Sequence, residues 1–225
     1  MGRGTSKSGV SVLKSVRVQS GNTVDLSDTP LVYGKPDATI TGAQRKTLEE
    51  QEKKRLDAKV EYGMIVDENG LQRGMEKRGG KNSVKMPYSY FEIENATMTH
   101  NHPRGIGEEN NIGGTFSSED LDSFTKHKIR TMRASAAEGT YSISKTNKFD
   151  ANGFDAFQKK VSSDAFTTYK KAAKEVKNQH SNGSIDAKTA NGKIDKLFNK
   201  MLVDVHNELL SGQKKYGYTY TLEMR

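Results

Sequence analysis

The sequence predicts an α+β fold, because short strand patterns and long amphipathic helices both occur along the chain. Residues 60–66 are mainly apolar, residues 67–70 hold an Asn-Gly turn, and residues 71–77 complete a hairpin. Two segments near the C-terminus instead carry large apolar residues at helical spacing. Further strand candidates lie at residues 88–93, 96–99, 140–144 and 216–222.

Local signals predict where the helices begin and end. Thr41 and Gln44 have the spacing of a capping box and begin a helix whose apolar stripe is thin. Ser117 or Ser118 caps a second helix, which we expect over about 118–133. Gly212 is expected to end the last helix. The apolar stripes of the two C-terminal helices are Phe154, Phe157, Val161, Ala165, Tyr169, Ala172 and Val176, and Ile194, Leu197, Phe198, Met201, Leu202, Val205 and Leu209.

The composition excludes several classes of protein. Hydrophobic residues make up 32% of the 225 residues, and no apolar run approaches the roughly 20 residues that a membrane helix needs. The chain has no cysteine, which excludes disulfides, a thiol nucleophile and a cysteine-based metal site. The formal charge of +8 favours an anionic partner such as nucleic acid. The basic residues are mostly interleaved with acidic ones, so a solvated lysine-rich surface is the simpler interpretation.

The chain divides into three parts by composition. Residues 1–40 are rich in Gly, Ser and Thr and predict a flexible, basic N-terminal tail. Residues 41–58 predict a connector helix. Residues 59–225 predict the folded domain, with a core over 59–145 and a helical extension and last strand over 151–225.

The residues that carry chemistry lie in the middle of the chain. His100 and His102 are two apart, so on a strand their imidazoles point to the same side. Asp120, in the first turn of the next predicted helix, adds a carboxylate. Three such ligands leave a fourth position open, which is typical of a catalytic zinc site. The alternative is that two histidines beside a proline turn are ordinary surface residues.

These residues also match the motif of a known family. His100-Asn101-His102-Pro103, followed by Ser117-Ser118-Glu119-Asp120, resembles the JAB/MPN (JAMM) metalloproteases, especially the RadC-like branch and bacteriophage-encoded JAB-type domains. The resemblance covers residues 60–143. It implies that residues 59–225 form a JAB/MPN-like domain, whose mixed, largely antiparallel sheet is flanked by helices. Fourteen residues separate His102 from Ser117, a longer gap than the family has, so residues 106–113 look like an inserted loop.

The resemblance assigns roles to individual residues. His100, His102 and Asp120 are implied as the zinc ligands. Ser117 is implied as the polar group that helps to hold the developing oxyanion, and Glu61 as the general base. The family motif opens with Glu-x-x-Gly, whereas here Glu61 and Gly63 are separated by one residue. The match of Glu61 to the general base is therefore imperfect. Other carboxylates that remain candidates for the base are Glu76, Glu92 and Glu94.

The resemblance implies a zinc-dependent peptidase or isopeptidase, in which metal-activated water attacks an amide carbonyl of a protein or peptide. One alternative is a phage structural or accessory protein that uses the JAB fold as a binding scaffold, with other phage structural proteins as its partners. Another is a RadC-like, DNA-associated protein, although no base-reading motif accompanies the positive charge. We expect no membrane partner. The expected location is the cytoplasm of a bacterial host or the virion.

Overall fold

The computed structural model describes residues 3–5, 11–13, 15–17, 23–25, 31–81, 83–103 and 114–224. Its helices are α1 (Gly42–Arg55), α2 (Tyr88–Phe91), α3 (Ser118–Lys126), α4 (Ala151–Ser181) and α5 (Ala187–Tyr216). The short N-terminal strands are β1 (Arg3–Thr5), β2 (Ser11–Leu13), β3 (Ser15–Arg17), β4 (Thr23–Asp25) and β5 (Leu31–Tyr33). The later strands are β6 (Tyr62–Val66), β7 (Gln72–Arg78), β8 (Thr97–Asn101), β9 (Thr131–Ser135), β10 (Thr140–Lys145) and β11 (Tyr218–Glu223).

Within these residues, six strands form one sheet in the order β11-β10-β9-β8-β6-β7. Neighbouring strands are antiparallel except β8 and β9, which run parallel. The predicted α+β class, with a mixed and largely antiparallel sheet flanked by helices, is therefore confirmed. No helix in the described part of the chain is long and apolar enough to cross a membrane.

Both faces of this sheet are buried, but their chemistry differs because side chains alternate along each strand. One face carries apolar side chains such as Met98, Met132 and Ile143, on which residues of α3, α4 and α5 pack. The other face carries polar groups such as Thr99 and Arg133, and α1 lies over it. The sheet thus has an apolar face and a polar face.

The predicted helix over 118–133 is wrong in its second half. The helix α3 ends at Lys126, and residues 131–135 form strand β9 between β8 and β10. Thr-Met-Arg-Ala-Ser is not a strong strand pattern, so tertiary context decides the structure of this segment. The extended form buries Met132 and Ala134 completely in the apolar core.

Smaller differences occur at two other element ends. The strand candidate at 88–93 forms the short helix α2. The last helix continues past Gly212 to Tyr216 and ends at Gly217, whose φ of 68° is the left-handed conformation common at helix ends. Gly212 lies against Phe157 and Tyr218, where a Cβ atom would stand 2.6 Å from the Tyr218 hydroxyl oxygen and 2.7 to 2.8 Å from ring atoms of Phe157. This glycine therefore permits close packing and does not end the helix.

The last ten residues of the predicted tail pack on the folded domain. Leu31 is buried in the apolar core, and the buried Asp37 accepts hydrogen bonds from the hydroxyls of Ser142 and Ser144. The prediction of a flexible tail therefore does not hold for residues 31–40. The apolar patch Leu31-Val32-Tyr33, a possible docked strand by its sequence, forms β5 and anchors this segment.

Candidate metal centre

The two histidines of the motif lie at the end of a central strand. His100 is on β8 and points to the same face as Met98, toward α3. His102 follows two residues later, and its backbone N–H donates to Ser135 O at 2.8 Å, which prolongs the pairing with β9. The side chain of His100 is fully buried, whereas that of His102 is 11% exposed.

Asp120 is fixed by the start of α3. Ser117 caps this helix, because its Oγ accepts a hydrogen bond from Asp120 N at 3.1 Å. Asp120 Oδ2 in turn accepts from Ser117 N at 2.9 Å and from Ser117 Oγ at 2.8 Å. This reciprocal capping box holds the carboxylate at the mouth of the site.

The ligand atoms of these three residues converge on one point. His100 Nε2 lies 3.0 Å from His102 Nε2 and 3.4 Å from Asp120 Oδ1. His102 Nε2 lies 3.6 Å from Asp120 Oδ2. Ligands about 2.0–2.1 Å from a tetrahedral zinc ion stand roughly 3.3 Å apart, so the observed spacings fit such an ion. Two imidazoles and a carboxylate are also a donor set that zinc accepts.

The electrostatics of the cluster favour a positive charge at its centre. Burial alone would raise the pKa of Asp120, but the two imidazoles outweigh it and hold the pKa well below its usual range. Burial likewise opposes protonation of His102, yet the Asp120 carboxylate raises the pKa of this imidazole. A divalent cation would satisfy the same attraction without protonating either histidine.

Glu61 lies in the same cavity as this cluster. In the antiparallel pair of β6 and β8, Gly63 stands opposite His100, so two residues further Glu61 is level with His102. Burial raises the pKa of Glu61, against the attraction of His100 and His102, and the carboxylate accepts a hydrogen bond from Val84 N. The geometry thus places a proton-accepting carboxylate beside the candidate ligands.

The other candidate carboxylates lie elsewhere. Glu76, on β7, pairs with Arg55 of α1. Glu92 lies 3.2 Å from the His127 ring, and the largely exposed Glu94 lies 4.0 Å from Lys128. Among the described residues that line the cavity with His102 and Asp120, the acidic ones besides Asp120 are Glu61 and Glu119.

Asn101, the middle residue of the motif, has a structural task that sequence reasoning missed. Its buried side chain accepts from Tyr62 N at 2.7 Å and donates to Val60 O at 3.1 Å. These two backbone groups flank Glu61, so Asn101 fixes the backbone that carries the candidate base. Its position between His100 and His102 is the sequence feature that could have indicated this role.

Ser117 has a defined place, but its predicted role stays a prediction. Its hydroxyl proton is donated to Asp120, so the structure gives Ser117 the task of orienting that ligand. The predicted inserted loop at residues 106–113 lies outside the described residues. The cavity beside the cluster has a volume of about 340 Å³, and its floor includes Phe91, Met98 and Met132.

Comparisons of this chain with protein-family models, with curated proteins and with solved structures found no match. The candidate site therefore stands on its geometry and chemistry. The structure brings together His100, His102, Asp120, Glu61 and Ser117.

Proposed function

We propose that the protein is a divalent-metal-dependent hydrolase, and more specifically a zinc peptidase or isopeptidase of the JAB/MPN type. The observation that supports it is the convergence of His100 Nε2, His102 Nε2 and the Asp120 carboxylate beside the buried Glu61. The particular family rests on the resemblance of the motif. A bacterial-host or virion location is part of the same proposal.

The residues divide the work of amide hydrolysis in this proposal. His100, His102 and Asp120 would hold a zinc ion, which would supply the Lewis acidity that amide hydrolysis needs. Glu61 takes the proton from the water and delivers it to the leaving amine nitrogen. Its raised pKa suits this task, because a carboxyl that protonates more readily is a better general base.

The cavity next to the cluster suits a peptide substrate. It has room for a side chain beside the scissile amide, and the partly exposed Val84 in its lining offers apolar contact. Its walls hold the carboxylates of Glu61, Glu119 and Asp120. A protein or peptide is therefore the proposed substrate, and the described site offers no cluster of basic groups for a nucleic acid.

The first experiment is elemental analysis of the purified protein and of its His100→Ala/His102→Ala variant. We expect about one zinc ion per wild-type chain and essentially none in the double variant, because two of the three ligands are removed. His180→Ala is the matched control, since His180 is an exposed histidine at the end of α4.

A wild-type chain that contains no metal and does not bind added zinc would overturn the hydrolase proposal. The protein would then be a scaffold whose fold serves binding. Stoichiometric manganese or iron in place of zinc would keep the site and change its metal, since two histidines and a carboxylate also accept these ions.

A further inference from the structure

Glu138 is a buried carboxyl group behind the candidate metal centre. It lies in the tight turn between β9 and β10, where Ala136 N donates to Gly139 O at 2.9 Å. Its Oε1 accepts two hydrogen bonds, from Tyr141 OH at 2.6 Å and from Gly114 N at 3.2 Å. Its Oε2 is buried and has no hydrogen-bond partner among the described residues. Burial raises the pKa of Glu138 to about 7.

Gly114 connects this carboxyl group to the site. Its N–H faces Glu138, while its carbonyl oxygen lies 3.2 Å from His102 Nδ1. Its φ of +79° is a conformation that favours glycine, and a Cβ here would stand 2.8 Å from Leu202 Cδ2 of α5. The backbone of Gly114 is therefore held by the hydrogen bond from its N–H to Glu138 and by the close packing of its Cα against Leu202.

The contact with Gly114 sets the state of the His102 ring. A carbonyl oxygen accepts only, so His102 Nδ1 must carry the proton and donate it. The Nε2 lone pair then faces His100 and Asp120, as a metal ligand requires. His100 Nδ1 has no such partner among the described residues, so His102 is the ligand whose orientation a hydrogen bond fixes.

We propose that Glu138 is a positioning residue of the metal centre, which orients His102 through the backbone of Gly114. The inference rests on the metal site of the proposed function, but not on peptidase activity. The contacts that support it run from Glu138 Oε1 to Gly114 N and from Gly114 O to His102 Nδ1, each 3.2 Å long. Groups that hydrogen-bond a metal-bound histidine directly typically change metal affinity 10- to 100-fold, and Glu138 acts on such a group, the Gly114 carbonyl, through the backbone.

The test is the zinc affinity of three variants, measured by competition with a chromogenic chelator. Glu138→Leu removes the acceptor of Gly114 N and should weaken zinc binding at least tenfold. Glu138→Gln should stay within about threefold of wild type, because its Oε1 can accept both hydrogen bonds. Tyr141→Phe, the matched control, removes the other donor to Glu138 and should leave zinc affinity unchanged.

Stability and ring geometry are measured on the same metal-free proteins. Thermal unfolding shows how much each variant destabilises the fold. Nitrogen-15 spectra of the histidine rings show whether His102 keeps its proton on Nδ1, which we expect in wild type and Glu138→Gln and not in Glu138→Leu. A merely structural role would lower the melting temperature without changing this ring signal.

Several results would overturn the proposal. They are an unchanged zinc affinity in Glu138→Leu, an equally weak Glu138→Gln, or a Tyr141→Phe variant as weak as Glu138→Leu. A wild-type chain that binds no zinc would remove the metal site and this inference together. Zinc binding that responds as expected, in a protein that cleaves no peptide, would instead support the inference and overturn the peptidase proposal.

Discussion

Two buried polar clusters lie on opposite faces of the central sheet, and they differ in how their charges are satisfied. The ion-pair cluster, defined here as Arg45, Glu52, Arg133 and Glu223, lies at the polar face of the sheet, beside α1. The candidate metal-site cluster of His100, His102, Asp120 and Glu61 lies at the other face, beside α3.

The ion-pair cluster is closed on itself. Arg133 Nε and Nη2 donate to the two carboxylate oxygens of Glu52 at 2.7 and 3.0 Å, and Nη1 donates to Glu223 Oε1 at 3.1 Å. Thr99 and Thr140 donate their hydroxyls to Glu52 as well. Each carboxylate oxygen of Glu52 therefore has hydrogen-bond partners within the protein.

The candidate metal-site cluster is open at its centre. The Nε2 atoms of His100 and His102 and the Asp120 carboxylate point at one another rather than at separate donors. Lone pairs that face one another are satisfied by a cation between them. Both clusters bury charge, but they differ in the direction of their polar atoms, because those of His100, His102 and Asp120 point at a common centre.

The largest expected effect comes from the open cluster. Glu61→Gln removes the proposed proton acceptor and should lower the rate of peptide cleavage by about 100- to 10,000-fold. Zinc content should stay near wild type, and the free energy of unfolding should be equal or slightly higher, because burial disfavours the charged form of Glu61. Cleavage of a fluorogenic peptide set, elemental analysis and urea unfolding measure these quantities.

An active Glu61→Gln variant would show that Glu61 is not the base. Glu76→Gln is the matched control, because Glu76 pairs with Arg55 outside the cavity. We expect its cleavage rate to stay at the wild-type level.

A substitution in the ion-pair cluster should lower the stability of the fold and leave the candidate metal site intact. Arg133→Met leaves the buried carboxylates of Glu52 and Glu223 without their main partner and should cost about 3–5 kcal/mol of unfolding free energy. Zinc content should be unchanged in the protein that still folds. Urea unfolding at pH 7 measures the loss. A cost below about 1 kcal/mol would mean that the carboxylates relax or take up protons more cheaply than a closed cluster implies.

Arg45→Met is the control for this substitution. Arg45 also contacts Glu223, at 3.0 Å, but its side chain is 23% exposed and water can replace it. We expect it to cost about 1 kcal/mol or less.

The smallest of the three effects concerns a third histidine. His206 is fully buried on α5, where its Nε2 donates to Val32 O at 2.6 Å and its Nδ1 accepts from Tyr220 OH at 2.8 Å. Unlike His100 and His102, both of its nitrogens have fixed partners. Burial lowers its pKa to about 4. As the pH falls, His206 is therefore protonated in the unfolded chain before it is protonated in the folded protein.

Stability should accordingly fall as the pH drops from about 6.5 to about 4, by about 3 kcal/mol from His206 alone. His206→Gln provides the comparison, because an amide can make the same two hydrogen bonds without titrating. The difference in unfolding free energy between wild type and variant, measured from pH 7 to pH 4, isolates this contribution. A difference that does not change with pH would mean that the folded protein protonates His206 without cost.

Sequence reasoning recovered the parts of the fold that local signals control. The hairpin of β6 and β7, the capping box at Thr41 and the long C-terminal helices follow from turn residues, caps and apolar spacing. The strand β9 was missed because its residues have no strong local preference. Its burial between β8 and β10 outweighs that weak preference.

In the candidate site, too, the residues with local signals were predicted and those with long-range contacts were not. The His100-x-His102 spacing on a strand and the helix cap at Ser117 are local, so the sequence alone pointed to these residues. Glu138 had no signal of its own, since its relation to His102 exists only through the backbone of Gly114. Asn101 lay inside the motif, but its partners are backbone groups 39 and 41 residues away.

Local sequence signals were enough to predict the α+β class, the helices with clear caps and apolar stripes, and the candidate metal-binding residues His100, His102 and Asp120. The tertiary structure alone decided which polar groups became a closed cluster and which remained open. Arg133 meets Glu52 and Glu223 across 81 and 90 residues of chain, and these contacts make its burial possible. A buried charge is stable only where partner groups converge on it, and here the partners come from distant parts of the chain. Which partners meet depends on the order of the strands in the sheet, and no local sequence pattern encodes that order.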